Sequence, residues 1–243
     1  MNSQAPSSSP GRLFIVSAPS GSGKSTLVNE LRSQVRDLDF SVSYTTRAPR
    51  GSEQDGREYH FTTRKQFEKM LDENAFLEHA EVFGNFYGTA AESVAHAARS
   101  GKDLILDIDI QGARQVMART PDAVTIFIVP PSREVLERRL RQRSIAEDRV
   151  AEDVVERRLA QASSEIQSVR DYRYAVVNDS LEDAVAELRA IVLFERGKRD
   201  STEGDLSDIK QKALNCLTAN RSPHLRQALA RFGVELQGAR PEV

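Results

Sequence analysis

Four short, mostly apolar runs punctuate the chain: Arg12 to Ser17 (RLFIVS), Leu104 to Ile110 (LILDIDI), Val124 to Val129 (VTIFIV) and Tyr174 to Val177 (YAVV). Runs of this kind suit parallel strands that are covered on both faces. Helical periodicity separates them. Leu27 and Leu31 follow the first run. Leu181, Val185, Leu188 and Val192 follow the last, with Ser180 placed to cap and Asp183 three residues on. Strands alternating with helices predict an α/β fold whose parallel sheet is flanked by helices.

Residues 40 to 99 break that rhythm. Phe40 to Tyr44 (FSVSY), Glu58 to Phe61 (EYHF) and Phe76 to Phe83 (FLEHAEVF) read as short strands around one helix carrying Phe67, Met70 and Leu71. Turn signals stand at Pro49-Arg50-Gly51 and Asp55-Gly56. The pattern predicts a small mixed α/β insertion, residues 45–99, in a core made of residues 11–44 and 100–198. The insertion follows the first helix, which puts it near the carboxyl ends of the parallel strands, where such sheets bind ligands. Residues 133–170 are charge-dense and helical. Gly197 to Asp205 reads as a linker to an extension, residues 201–243, with two amphipathic helices. One carries Leu206, Ile209 and Ala213. The other starts at Ser222-Pro223, carries Leu225, Leu229 and Phe232, and ends at Gly233. Residues 1–10 are Ser/Pro-rich and read as a disordered leader.

Composition narrows the classes. Of 243 residues, 39% are hydrophobic and 29% charged, as in a globular protein. The net charge of −2 offers no basic field for nucleic acid, so none is expected as a partner. One cysteine, Cys216, excludes an internal disulfide and supplies no metal framework. No run approaches the roughly 18 apolar residues of a membrane helix, and no signal peptide is evident. The expected setting is the cytoplasm.

The chemistry starts at Ala18-Pro19-Ser20-Gly21-Ser22-Gly23-Lys24-Ser25-Thr26. A Gly-rich turn between an apolar strand and a helix directs backbone N–H groups at an anion, and the helix start adds positive potential. Lys24 is placed for the β- and γ-phosphates, and Ser25 for Mg²⁺. Asp107, late in the second run, is placed for the same metal shell, partly through water. Ala18 stands where the strict pattern has Gly. No Asn-Lys-x-Asp motif of a GTPase switch occurs.

Holding a phosphate does not name an acceptor. In the insertion, Arg47 and Arg50 lie three apart in a Pro-bearing turn, and Tyr59 and Tyr87 offer phenolic donors. Glu78 interrupts an apolar run. Singly, each also reads as an ordinary exposed residue.

Together these stretches resemble guanylate kinase of the bacterial type. The matching segments are SAPSGSGKST, SVSYTTRAPR, GREYHF, FLEHAEVFGNFYGT, LILDIDIQGA, IFIVPPS and VVND, in family order over residues 12–198. The resemblance implies a P-loop kinase core, a GMP-binding insertion and a helical lid at about 139–160. It implies transfer of the γ-phosphoryl of Mg-ATP to GMP, and to dGMP with it, in purine nucleotide metabolism. Arg47, Arg50, Tyr59 and Tyr87 match the residues that hold the GMP phosphate. Ser43, Glu78, Thr89 and Asp109 match those around the guanine, and Asn178 one near the adenine. Arg139, Arg143 and Arg158 fall in or beside the lid, with Lys24, Arg47, Arg143 and Arg158 the implied catalytic set.

Two features depart from the family. The lid segment RQRSIAEDRVAEDVVERR contains no Gly where the family has a short Arg-Gly turn. Residues 201–243 exceed what the minimal enzyme needs, and docking on the core or a homo-oligomer contact are both open for them. A guanylate-kinase-like binding module without catalysis and a P-loop kinase with another acceptor are the competing readings. The retained Lys24, Arg47, Arg50, Glu78 and Asp107 favour the enzyme.

Overall fold

The computed structural model describes residues 11–146, 152–200 and 207–236. The leader expected at residues 1–10 lies outside them. The chain runs β1 (Leu13–Ser17), α1 (Lys24–Gln34), β2 (Leu38–Phe40), β3 (Tyr44–Thr45), β4 (His60–Phe61), α2 (Arg64–Asp72), β5 (Phe76–Val82), β6 (Asn85–Ala90) and α3 (Ala91–Ser100). It continues through β7 (Asp103–Asp107), α4 (Ile110–Arg119), β8 (Val124–Val129), α5 (Arg133–Ala146), α6 (Glu152–Glu165), β9 (Tyr174–Val177), α7 (Leu181–Asp200), α8 (Ser207–Asn215) and α9 (Pro223–Ala230). Among the described residues no helix is long and apolar enough to cross a membrane.

The four apolar runs, with the short β2 at one edge, form a five-stranded parallel sheet in the order β2-β7-β1-β8-β9. Alternation along each strand feeds two cores. Phe14, Val16, Ile105, Ile126, Ile128 and Val176 pack on one face with Leu27, Leu31, Leu188 and Ile191 of α1 and α7. Ile15, Leu106, Phe127, Val129 and Val177 pack on the other with Ala113 and Val116 of α4. Each fully buried large apolar side chain is worth about 1.5–3 kcal/mol of transfer free energy, so both faces must be covered.

A second sheet, in the order β4-β3-β6-β5, is mixed: β3 and β4 run parallel, and β6 runs antiparallel to both β3 and β5. Phe67 of α2 seats it, stacked between Phe76 at 4.4 Å and Phe86 at 5.4 Å.

Three local readings change. The run from Leu104 to Ile110 leaves the sheet at Asp107, because the Asp109 carboxylate accepts from the Gly112 N–H (2.7 Å) and starts α4 at Ile110. The stretch from Phe40 to Tyr44 divides: β2 ends at Phe40 on the edge of the parallel sheet, and Tyr44 opens β3 in the other sheet. The expected linker from Gly197 begins later, because α7 continues to Asp200. Lys198 supports that last turn, pairing with Glu195 (3.0 Å) and lying over the Phe194 ring (4.1 Å).

Candidate active site

One continuous cleft of about 1730 Å³ runs from the Gly-rich loop to the second sheet. The loop follows β1 as the sequence requires. Gly21 (φ 87°) and Gly23 (φ 83°) take the left-handed conformation, which costs other residues roughly 1–2 kcal/mol. Ala18 is buried and lies outside the positive-φ set, so it tolerates a side chain there. Gly23 precedes α1 with no side chain capping the helix end, which leaves an open anion site.

Lys24 Nζ lies 2.5 Å from Asp107 Oδ1 and donates to the Ile108 carbonyl at 2.6 Å. Ser25 Oγ donates to Asp107 Oδ2 at 2.9 Å. The hydroxyl and the carboxylate therefore meet at the loop, a pair of hard oxygen donors fitting a divalent cation. Among the described residues no three His, Cys, Asp or Glu side chains gather into a metal site of their own. His60 and His79 are strand residues, His60 tilted against the Tyr44 ring at 4.7 Å and His79 exposed.

Asn178 donates from Nδ2 to the Ser22 carbonyl at 2.7 Å. Its amide hydrogens thus brace the phosphate loop. Arg139 spans the same corner, donating to the carbonyls of Ser22 (3.3 Å) and Asn178 (3.2 Å). Arg158 is buried, and its guanidinium lies 5.6 Å from the ring of Phe83 at the β5–β6 turn. Phe83 and Gly84 (φ 50° and 78°) form the two-residue turn between the paired Val82 and Asn85, which sets the positive φ, and Arg158 gives the exposed Phe83 ring a partner. The side chain of Arg143 lies outside the described residues.

At the far end, Arg47 donates to the Ala48 carbonyl (2.7 Å) and to Glu53 (3.0 Å), while its Nε is buried without a partner. Glu53 also accepts from the Arg50 N–H (2.8 Å) and so shapes the whole turn. The Tyr59 and Tyr87 rings meet edge-on at 5.8 Å, with the Arg47 guanidinium 5.2 Å from the Tyr59 ring. Burial pushes the Tyr59 phenol up to about 12, so it remains a neutral O–H donor.

Behind them sit a buried Glu78 and a half-buried Asp109. Glu78 is 3% exposed and accepts from Thr89 Oγ1 at 2.6 Å; Ser43 Oγ lies 3.4 Å from that hydroxyl. Burial, then the nearby Asp109, pushes the Glu78 carboxyl up to about 7 against the pull of the Thr89 bond. Asp109 spends Oδ1 on the Gly112 N–H, and its Oδ2 is buried without a partner. Of the expected residues whose side chains are described, all but Thr89 line the cleft; Thr89 stands behind Glu78.

Sequence reasoning missed Glu53, Phe83 and Gly112. A Cβ on Gly112 would fall 2.1 Å from Glu78 Oε2, so only Gly lets that carboxylate rest against α4. The single available signal was Gly in the first turn of a helix, where it costs stability.

Comparison with known proteins follows the same outline. A family model described as "Guanylate kinase" matches residues 10–195. A guanylate kinase of Koribacter versatilis is 54% identical over 224 residues, 91% of this chain and 96% of that one. One of Nitrosospira multiformis is 51% identical over 189 residues, 78% of this chain and 88% of that one. The crystal structure of guanylate kinase from Anaplasma phagocytophilum superposes with a TM-score of 0.65 at 33% identity, covering 81% of this chain and 96% of that one.

The loop geometry predicts a contrast between two glycines. Gly23→Ala imposes a left-handed strain of roughly 1–2 kcal/mol and also drives a Cβ to 2.5 Å from Asn178 Nδ2. Gly51→Ala imposes the strain alone, since its φ is 50° and nothing lies within 4 Å of its Cβ position. Thermal unfolding should show the larger loss for Gly23→Ala; equal losses would remove Asn178 from the account of the loop.

Proposed function

The chain belongs to the guanylate kinase family, and on that premise we propose that its cleft transfers the γ-phosphoryl group of ATP to GMP, giving ADP and GDP. The observation that carries this reading is the pairing of two sites in one cleft. A phosphate loop lies at one end, and a buried acceptor pair, Glu78 with the unpartnered Asp109 Oδ2, lies at the other. Guanine presents N1–H and N2–H₂ donors along one edge, which these carboxylates accept. Adenine lacks that pair and would leave them unsatisfied, a penalty that supports discrimination of up to about 10⁴-fold.

Residues 45–99 then form the acceptor-binding insertion. Arg47, Arg50, Tyr59 and Tyr87 hold the GMP phosphate, and Ser43 and Thr89 orient Glu78 on the base. Ala18 to Thr26 hold the ATP phosphates, with Asn178 bracing that loop and offering its Oδ1 towards the adenine. Ser25 and Asp107 would hold Mg²⁺, Asp107 in part through water. When bound, the ion supplies charge neutralisation at the β- and γ-phosphates. Activity in the cytoplasm, on the purine nucleotide pool, fits this pair of substrates.

A phosphate oxygen of GMP attacks the γ-phosphorus, and the bond to the β–γ bridging oxygen breaks to release ADP. That oxygen is already ionised near neutral pH, so no general base is needed. What the chain must do is align two polyanions and offset their repulsion. Lys24, Arg139, Arg143 and Arg158 supply the charge around the transferred group. The lid, about residues 139–160, closes towards the insertion with Phe83 under Arg158 and excludes water that would otherwise take the phosphoryl group.

ADP release from Mg-ATP should require GMP and not proceed with AMP, CMP or UMP. Tight nucleotide binding without turnover on any of them would instead identify a binding module. Lys24→Ala should cut kcat by about 10²-fold or more while the protein stays folded. Gly112→Ala should raise KM for GMP about tenfold or more by displacing Glu78, with KM for ATP within about twofold. An unchanged KM for GMP would mean that Glu78 tolerates displacement.

The ionised form of Glu78 binds guanine. With its carboxyl titrating at about 7, it is mostly charged at pH 8 and mostly neutral at pH 6. KM for GMP should therefore rise about tenfold on going from pH 8 to 6. Glu78→Gln should lose that part of the profile, whereas titration of the GMP phosphate near pH 6 is common to both proteins. Parallel profiles would remove Glu78 from base recognition.

A further inference from the structure

The C-terminal extension takes no part in the site as described, yet it is built into the fold beside it. After α8 the chain pairs with the edge of the parallel sheet. Ala175 N–H donates to the Cys216 carbonyl (2.8 Å), Thr218 N–H donates to the Arg173 carbonyl (3.0 Å), and Leu217 bridges Tyr174. Then α9, capped by Ser222 and started by Pro223, buries Leu225, Ala228 and Leu229 in the core on the α4 side of the sheet. Its end is held from both sides. Arg231 donates to the Pro131 carbonyl (3.0 Å), in the turn that begins α5, and Arg170 donates to the Glu235 carbonyl (2.9 Å).

Phe232 lies between these anchors. It packs against the α9 core and also against a separate small cluster, Leu136 and Leu140 of α5 with Leu159 and Ala162 of α6. That cluster is the root of the two lid helices. Leu136 and Leu140 in turn lie on the phosphate loop: a Cβ at Gly21 would meet Leu140 at 2.9 Å and Leu136 at 3.2 Å. Arg139, one turn along the same helix, holds the carbonyls of Ser22 and Asn178. A continuous packed path therefore runs from the extension through the lid root to the loop. Packed interiors transmit displacement because they have little free volume to absorb it.

We propose that the C-terminal extension braces the lid root, with Phe232 a positioning residue that sets α5, and so Leu136, Arg139 and Leu140, on the phosphate loop for the donor nucleotide. This rests on the reading that the loop holds ATP. Arg47, Arg50, Tyr59, Tyr87 and Glu78 stand outside this packed path, so the effect falls on ATP more than on GMP.

The test uses the full-length protein and Phe232→Ala. Calorimetry should show ATP affinity falling about five- to tenfold, KM for GMP should stay within about twofold, and amide exchange should quicken in α5 around Leu136 and Leu140. Phe232→Leu should restore most of the affinity, which a merely folded-or-unfolded difference would not. Unchanged ATP affinity and unchanged exchange in folded Phe232→Ala would overturn the proposal, as would equal losses for ATP and GMP. Should Phe232→Ala fail to fold, Arg231→Ala removes the bond to Pro131 and a charge near the exposed Glu134, and leaves the apolar cluster intact. A smaller loss confined to ATP then supports the brace, and no loss overturns it. Failure of the kinase reading is separate: the unaltered protein would bind ATP without turning over GMP.

Discussion

The constraint on which the cleft depends is the left-handed turn at Gly21 and Gly23. It frees the start of α1 for an anion, and it leaves the Ser22 carbonyl turned towards Asn178 and Arg139, which hold it from outside. Side chains from the end of β9 and from α5 thus meet at one backbone oxygen. The loop is a rigid cradle because it is held on both sides, from β1 and α1 within and from the last strand and the lid helix without. Preorganisation of this kind is where a phosphoryl-transfer enzyme gains rate, since the protein contributes position and charge and no covalent step.

The acceptor end works by the opposite means. Glu78 is buried beside Asp109, whose Oδ2 is also shielded, and holding two carboxylates together in this way costs stability until a ligand donates to them. Thr89, the Gly112 N–H and the missing Cβ at Gly112 all serve to keep the two oxygens where they are. The proposed selectivity for guanine and the raised titration of Glu78 therefore have one origin, a carboxylate held where water cannot solvate it.

The extension gives a third element the same logic. Its strand-edge pairing and the apolar face of α9 are ordinary packing, but they deliver Phe232 to the junction of the lid helices. A segment remote from the cleft in sequence can thus bear on the donor site through Leu136 and Leu140.

The order of strands and helices was legible in the sequence because apolar runs, glycines and capping residues act locally. Lys24, Ser25 and Asp107 were legible as a phosphate-loop pattern, whereas Arg47, Arg50 and Glu78, each readable singly as an exposed residue, were picked out by the resemblance; the fold brings all six to one cleft. Reading Phe40 to Tyr44 as one strand failed because two sheets compete for it, and only tertiary packing decides where a short strand pairs. Three things needed the fold itself. Glu53 shapes the Arg47 turn through a contact that spacing does not signal. Gly112 matters because a side chain from another strand fills the space a Cβ would take. Phe232, one more apolar residue of an amphipathic helix in sequence, acquires its place only when α9, α5 and α6 meet. Local sequence sets which groups are available; packing between distant segments sets which of them touch.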